Sequence, residues 1–244
     1  MELNSPLLEH ELLKYPGSVE EAERLQTKWR LYLDEHQADI PKFDPEKVRY
    51  LAGLDVSYIM RGKNEIGFAC AVLWDYLHCR CVETAVVEGI VEFPYVRNLL
   101  GFREARLMVT ALLQLPHRPD VLLIDGNGIL HIRRFGSATH IGLVMGIPSI
   151  GVAKTRIKGF VNDSNGFLFP QDNLSESLGV LGKMEQLNPK YKPVYISPGY
   201  GIELKIALEI CRACTFHERI PAPIFLADQH SRQARLRKNR ENMS

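Results

Sequence analysis

A mixed α/β fold, one central sheet flanked by helices, follows from three features of this 244-residue chain. Three consecutive strand-like runs, 50–59, 65–74 and 81–91, are joined by connectors short enough for hairpins and so predict an antiparallel meander. After them, helical and strand-like segments alternate, the pattern of parallel strands. One of the later runs, Val121–Ile124, is continuously apolar and reads as a strand buried on both faces.

Each element has its own local cause. Ser18 and Glu21 make a capping box ahead of Ala22, Leu25, Trp29 and Tyr32, which recur at helical spacing. A first helix over 19–36 is expected, serving packing rather than chemistry. Beyond the meander, Leu99, Phe102, Leu107, Leu112 and Leu113 give an apolar face to a helix over 98–115, stopped by Pro116 and Pro119. A strand over 121–125, a helix over 136–146 and a strand over 148–154 follow. Residues 158–189 are rich in glycine and polar residues with little period, and predict an insertion over the surface. Residues 193–199 are strand-like, 203–216 form an amphipathic helix, and a last helix runs from Ala222 into the tail 231–244. With no linker or internal repeat, 1–244 reads as one domain, of which 1–45 is an N-terminal helical segment. Three antiparallel strands followed by alternating helices and strands is the element order of RNase H-like folds.

Composition narrows the class. Apolar content of 45% and charged content of 24% are ordinary for a globular protein. There is no apolar run of membrane-spanning length and no basic-then-apolar leader, so no membrane association or secretion is expected. Five cysteines, an odd number, argue against a disulfide framework and for a reducing compartment. Cys79 and Cys81 are two apart and Cys211 and Cys214 three apart, but no second ligand pair at finger-like spacing accompanies them; structural thiols are the better reading. Net charge is +1, yet Arg232, Arg235, Arg237, Lys238 and Arg240 crowd the tail against Glu241 alone. That run suits either a solvated helix face or phosphate contact.

Four acids stand out. Asp55 interrupts the apolar first strand, where a lone carboxylate must be paired, hydrogen-bonded or metal-bound. Asp125 closes the fourth strand, at the carboxyl end where open sheets meet ligands. Glu104 lies in a helix, and Asp228 in the otherwise apolar start of the last one. If the first and fourth strands are neighbours, Asp55 and Asp125 stand side by side, with Glu104 and Asp228 approaching from flanking helices. Carboxylates ~4 Å apart repel by about 4 kcal/mol at an effective dielectric of 20, so such a cluster calls for a divalent cation. Hard oxygen ligands point to Mg²⁺ or Mn²⁺, and the chemistry they support is phosphodiester hydrolysis.

After Asp125 the chain reads Gly-Asn-Gly, then His131, Arg133 and Arg134. Gly126 and Gly128 permit positive φ and close approach of a ligand to the main chain. His131 adds a titratable group, and the two arginines add phosphate-seeking forks.

Taken together, GLDVSY (53–58), FPYV with GFRE (93–104), DGNG with the histidine and RRFG (125–136), GIPSIGVAK (146–154), YISPG (195–199) and LAD (226–228) resemble endonuclease V, the nuclease family that recognises inosine. The resemblance runs from about Leu51 to about Arg232. It implies an RNase H-like fold, Mg²⁺ as cofactor with Mn²⁺ substituting, and hydrolysis of the second phosphodiester bond 3′ to inosine. By position, Asp55, Glu104, Asp125 and Asp228 match the metal-binding acids. Lys154 matches the lysine that stabilises the reacting phosphate, and His131 a histidine near the base pocket and cleavage site. Tyr95 matches the wedge that fills the stack once a base is extruded. Leu100, Gly126 and Gly128 match positions lining the base pocket, where main-chain groups would read the Watson–Crick edge of hypoxanthine.

Three positions depart from the family pattern. Arg97 and Asn98 follow Val96 where the wedge usually continues Pro-Gly, so the rigid turn of that motif is lost. Asn127 stands where many bacterial members have histidine, and Tyr200 stands where a histidine commonly follows SxG. Asn127 and the basic tail resemble the animal branch, whose members resemble ribonucleases for inosine-containing RNA more than DNA repair enzymes. Single-stranded RNA with inosine is therefore the expected substrate, with deoxyinosine DNA the alternative. A protein that binds nucleic acid without cleaving it fits less well, because all four acids, Lys154 and His131 are present. A monomer is expected, inside the cell in the cytoplasm, the nucleus or both, including the nucleolus; the sequence names no protein partner.

Overall fold

The computed structural model describes residues 6–171 and 178–241; the rest of the N-terminal segment, of 158–189 and of the tail lies outside the described residues. Among them nine strands form one sheet, in the order β3-β2-β1-β4-β5-β9-β8-β7-β6. The meander is β1 (Tyr50–Arg61), β2 (Asn64–Asp75) and β3 (Arg80–Ile90), antiparallel throughout. β4 (Val121–Ile124) lies parallel to β1, with Leu54 opposite Ile124, and β5 (Ser149–Ala153) lies parallel to β4. The mixed sheet flanked by helices is as the sequence implies.

Two strand expectations need correction. β9 (Val194–Tyr200) runs antiparallel to β5, so the parallel portion is confined to β1, β4 and β5. Residues 158–189 are no mere surface insertion. They supply β6 (Phe160–Asn162), β7 (Phe167–Pro170) and β8 (Gly182–Glu185), which extend the sheet beyond β9. Phe160, Leu168 and Leu181 join Leu130 in a small core of their own. These strands are three or four residues long, too short for alternation to declare itself.

The helices are α1 (Val19–Glu35), α2 (Leu100–Leu112), α3 (Ser137–Met145), α4 (Leu204–Ala213) and α5 (Ala222–Glu241). Ser18 caps α1 by accepting from the Glu21 amide, while Glu21 reaches back to the Gly17 amide. Tyr32, expected on the apolar face of α1, is exposed. α2 starts later than the apolar pattern suggested, because Asn98 has φ 67° and breaks the helix before it.

Strand parity sorts the core into two layers. Ala52, Leu54, Leu122 and Ile124 pack under α1, α2 and α3, whereas Leu51, Val121 and Leu123 pack under α4 and α5. Gly53 sets the seat of α5: a Cβ there would lie 2.2 Å from the Pro223 carbonyl carbon. That close approach brings the start of α5, and Asp228 with it, against the middle of β1. All five cysteines are free; Cys70, Cys211 and Cys214 are buried, as structural thiols should be, but Cys79 and Cys81 are exposed at the β2–β3 hairpin. No helix among the described residues is long and apolar enough to cross a membrane.

Candidate active site

The β1–β4 register sets Asp55, in the middle of β1, beside Asp125 at the carboxyl end of β4, and the Asp125 amide donates to the Leu54 carbonyl at 3.2 Å. Both acids open, with Asp228 and Lys154, onto a cavity of about 530 Å³ that Arg232 and Arg235 also line. Ser231 of α5 donates to Asp55 at 3.2 Å, Arg232 pairs with Asp228 at 2.9 Å, and Lys154 pairs with Asp125. Glu104 reaches the region from α2, on the other layer, and is 5% exposed. Tyr58 donates its hydroxyl to Glu104, and the Arg103 guanidinium lies 4.3 Å from the Tyr58 ring.

Electrostatics at these acids follow from burial and crowding. Burial first, then the charges of Asp125 and Asp228, push Asp55 up to about 7. Burial pushes Glu104 up to about 8, against the Tyr58 hydrogen bond that favours its ionised form. Both carboxyls thus sit where ionisation is costly.

Among the described residues no three acidic, histidine or cysteine side chains converge tightly enough to hold a metal ion as they stand. Each carboxylate is instead turned to a neighbour: Ser231, Tyr58, Lys154 or Arg232. The donor set nevertheless suits a hard divalent cation. Asp55, Asp125 and Asp228 line one cavity and Glu104 approaches it from α2, and a cation there would supply the charge that lets Asp55 and Glu104 ionise. Their present partners would have to yield to it.

A second cavity, about 600 Å³, shares Asp125 and Lys154 with the first. Tyr95, Asn98, Leu100, Gly126, Asn127 and His131 are among its walls. Tyr95 at its rim is 73% exposed, unusual for a large aromatic ring and suited to meeting a partner. The turn after it is intact despite the missing Pro-Gly. The Leu99 amide donates to the Val96 carbonyl at 3.1 Å, and Asn98 takes the left-handed φ that asparagine tolerates best after glycine.

Several expected residues have other employment. Gly128 and Gly126 do not adopt positive φ. Gly128 does not line the cavity: its amide donates to Ser197 at 2.9 Å, its carbonyl accepts from the Gly136 amide, and a Cβ would strike the Pro198 carbonyl oxygen at 1.9 Å. It is glycine so that this loop can press against β9, with no ligand needed to explain it. Arg133 pairs with Glu23, and Arg134 with Asp34 at 2.6 Å, so both forks grip α1 instead of facing phosphates. His131 is buried and drawn down to about 4 by that burial. Its Nδ1 accepts from the Arg133 amide at 3.2 Å, which leaves Nε2–H to donate to the Asn98 carbonyl at 2.9 Å. A neutral ring with both nitrogens occupied is poorly placed to exchange protons with a substrate.

Sequence reasoning missed Gln26, Tyr58, Ser231 and the neighbours Ser137, Thr155 and Arg156 that also line the second cavity. Only Gln26 carried a signal: it is a polar residue among the buried positions Ala22, Leu25 and Leu33 of an amphipathic helix.

Comparison with known proteins agrees with this architecture. The family model described as Endonuclease V matches residues 33–229. The endonuclease V of Desulfurococcus amylolyticus is 41% identical over 194 residues, which cover 79% of this chain and 84% of that one. The Bacillus subtilis endonuclease V structure superposes with a TM-score of 0.79 at 26% identity, over 94% of this chain and 98% of that one. The Ciona intestinalis endonuclease V, solved in complex with a 24-mer DNA containing an inosine followed by a ribo-adenosine, gives a TM-score of 0.74 at 29% identity over 88% and 99%. With the meander, Asp55 in mid-β1 beside Asp125 at the end of β4, and a family match across four-fifths of its length, this chain belongs to the endonuclease V family of nucleases.

Proposed function

We propose that this protein is a divalent-metal-dependent endonuclease that cleaves the second phosphodiester bond 3′ to inosine, with single-stranded RNA as its main substrate. One observation carries the reading: a cavity with room for an extruded base and an acid-lined cavity are separate but meet at Asp125 and Lys154. Cleavage displaced from the recognised base requires such an offset. The Ciona relative's complex with inosine-containing DNA supports the same base choice.

In this reading an extruded hypoxanthine enters beside Leu100, Gly126 and Asn127, while Tyr95 takes its place in the stack. Main-chain groups around Gly126 meet O6 and N1–H of hypoxanthine. Asp55, Glu104, Asp125 and Asp228 hold Mg²⁺ or Mn²⁺, which when bound activates water and steadies the departing oxygen. Lys154, released from Asp125, offers its charge to the phosphate. Asn127 and the basic tail, which resemble the animal branch, support RNA as the main substrate.

The test is cleavage of matched single-stranded RNA and DNA oligomers, each with one central inosine, in Mg²⁺. RNA should be cut faster, at the second bond on the 3′ side, while guanosine and adenosine controls stay whole. Equal cutting of the guanosine control would overturn the base assignment, and faster cutting of DNA would reverse the substrate preference.

A further inference from the structure

The Asn98 carbonyl is the meeting point of an unusual set of donors. Asn98 closes the turn that follows Tyr95, and its left-handed φ of 67° makes that turn intrinsically less favoured than a glycine turn. Two buried side chains hold it from different parts of the chain. His131 Nε2 donates to the Asn98 oxygen at 2.9 Å, and Gln26 Nε2 donates to it at 2.9 Å from α1. Gln26 also donates to the Phe135 carbonyl at 3.0 Å and accepts from Arg133 at 3.2 Å. At 1% exposure it lies wholly inside, yet every polar group of its amide is engaged, and it lines the cavity beside Tyr95. Such a fully satisfied buried amide specifies one geometry.

We propose that Gln26 is a positioning residue for base recognition. It ties α1 to the Asn98 carbonyl and to the loop after β4, and with His131 it holds Tyr95 and the Asn98 wall of the pocket in register. α1 is therefore part of the recognition apparatus and not merely packing. The missing Pro-Gly of the wedge is made good by clamping an asparagine turn from outside. This rests on the reading of Tyr95 as the wedge.

The test is a double-mutant cycle on equilibrium binding of single-stranded RNA, in Ca²⁺ to suppress cleavage, with Gln26→Met and Tyr95→Ala. Methionine matches glutamine in length but cannot donate. Gln26→Met should weaken binding of the inosine oligomer about tenfold, toward the lower end of what one stacked base contributes. Binding of an adenosine oligomer should hold constant. In the Tyr95→Ala background the same change should have little further effect, because the two residues act as a unit. Additive losses, or equal losses for inosine and adenosine oligomers, would reduce Gln26 to a residue of general stability. Unchanged binding by Tyr95→Ala alone would instead remove the wedge reading, and this proposal with it. Should Gln26→Met not fold, Gln26→Asn serves: it keeps the amide but is one methylene too short to reach the Asn98 carbonyl, so inosine binding should fall while adenosine binding holds, and unchanged inosine binding would overturn the clamp.

Discussion

Each acid of the site is restrained by a neighbour, and that sets the outcome of replacing it. Asp55→Asn and Asp125→Asn remove a charge but keep the shape, so folding should survive. Cleavage should fall by more than ~10²-fold, beyond the 10–100-fold typical of residues that only orient a ligand. Activity within tenfold of the unmodified protein for Asp125→Asn would take that residue out of the metal site. Tyr95, exposed at the cavity rim, makes a separable prediction. Tyr95→Ala should weaken inosine-oligomer binding by ~1–3 kcal/mol, the usual worth of one base–aromatic stack. Its thermal midpoint should barely move, since so exposed a ring contributes little to the core; a large drop would make it a packing residue.

At the scale of elements, α5 couples the acid cavity to the sheet, and its basic residues are not equivalent. Arg232 is paired with Asp228, and Lys238 with Glu88 of β3 at 3.2 Å. Arg235 lines the acid cavity and has no acidic partner among the described residues. Phosphate contact, if the tail makes it, should therefore begin with Arg235. Arg235→Gln should reduce the log–log salt slope of single-strand binding by ~0.7, the value of one phosphate contact, while Lys238→Gln leaves it unchanged. Preference for inosine should persist in both, because phosphate contacts position the strand without reading bases. Equal slopes for Arg235→Gln and the unmodified protein would assign the helix end to solvent.

Over the whole molecule, two sets of buried groups oppose one another as pH changes. Burial draws His131 and His140 from 6.5 down to about 4, so the folded state loses stability as pH falls through that range, where the unfolded chain binds more protons. Asp55 is raised from 3.8 to about 7 and Glu104 from 4.5 to about 8, so here the folded state binds more protons and loses stability as pH rises. The two trends offset each other near pH 5, and only the carboxyl cost persists to pH 8. A cation bound by the ionised acids lifts that cost. Mg²⁺ should accordingly raise the thermal midpoint more at pH 8 than at pH 5. Equal shifts at the two values would separate the buried acids from metal binding.

The fold class, the meander and the acids within β1 and at the end of β4 were legible in the sequence because each has a local cause. Continuous apolar runs make buried strands, short connectors make hairpins, and a carboxylate inside an apolar run demands an explanation. Tertiary structure alone decided the rest. β6–β8 are too short to show a period and become strands only because β9 offers them an edge. Gly128, which reads like a ligand-binding glycine, is required by a neighbouring backbone distant in sequence. Arg133 and Arg134 look like phosphate forks until α1 presents Glu23 and Asp34 to them. Gln26 and Asn98 are 72 positions apart, and nothing local in either predicts that one will hold the other. Patterns along a chain report which faces are buried; which distant group satisfies a buried donor is settled only when the faces meet.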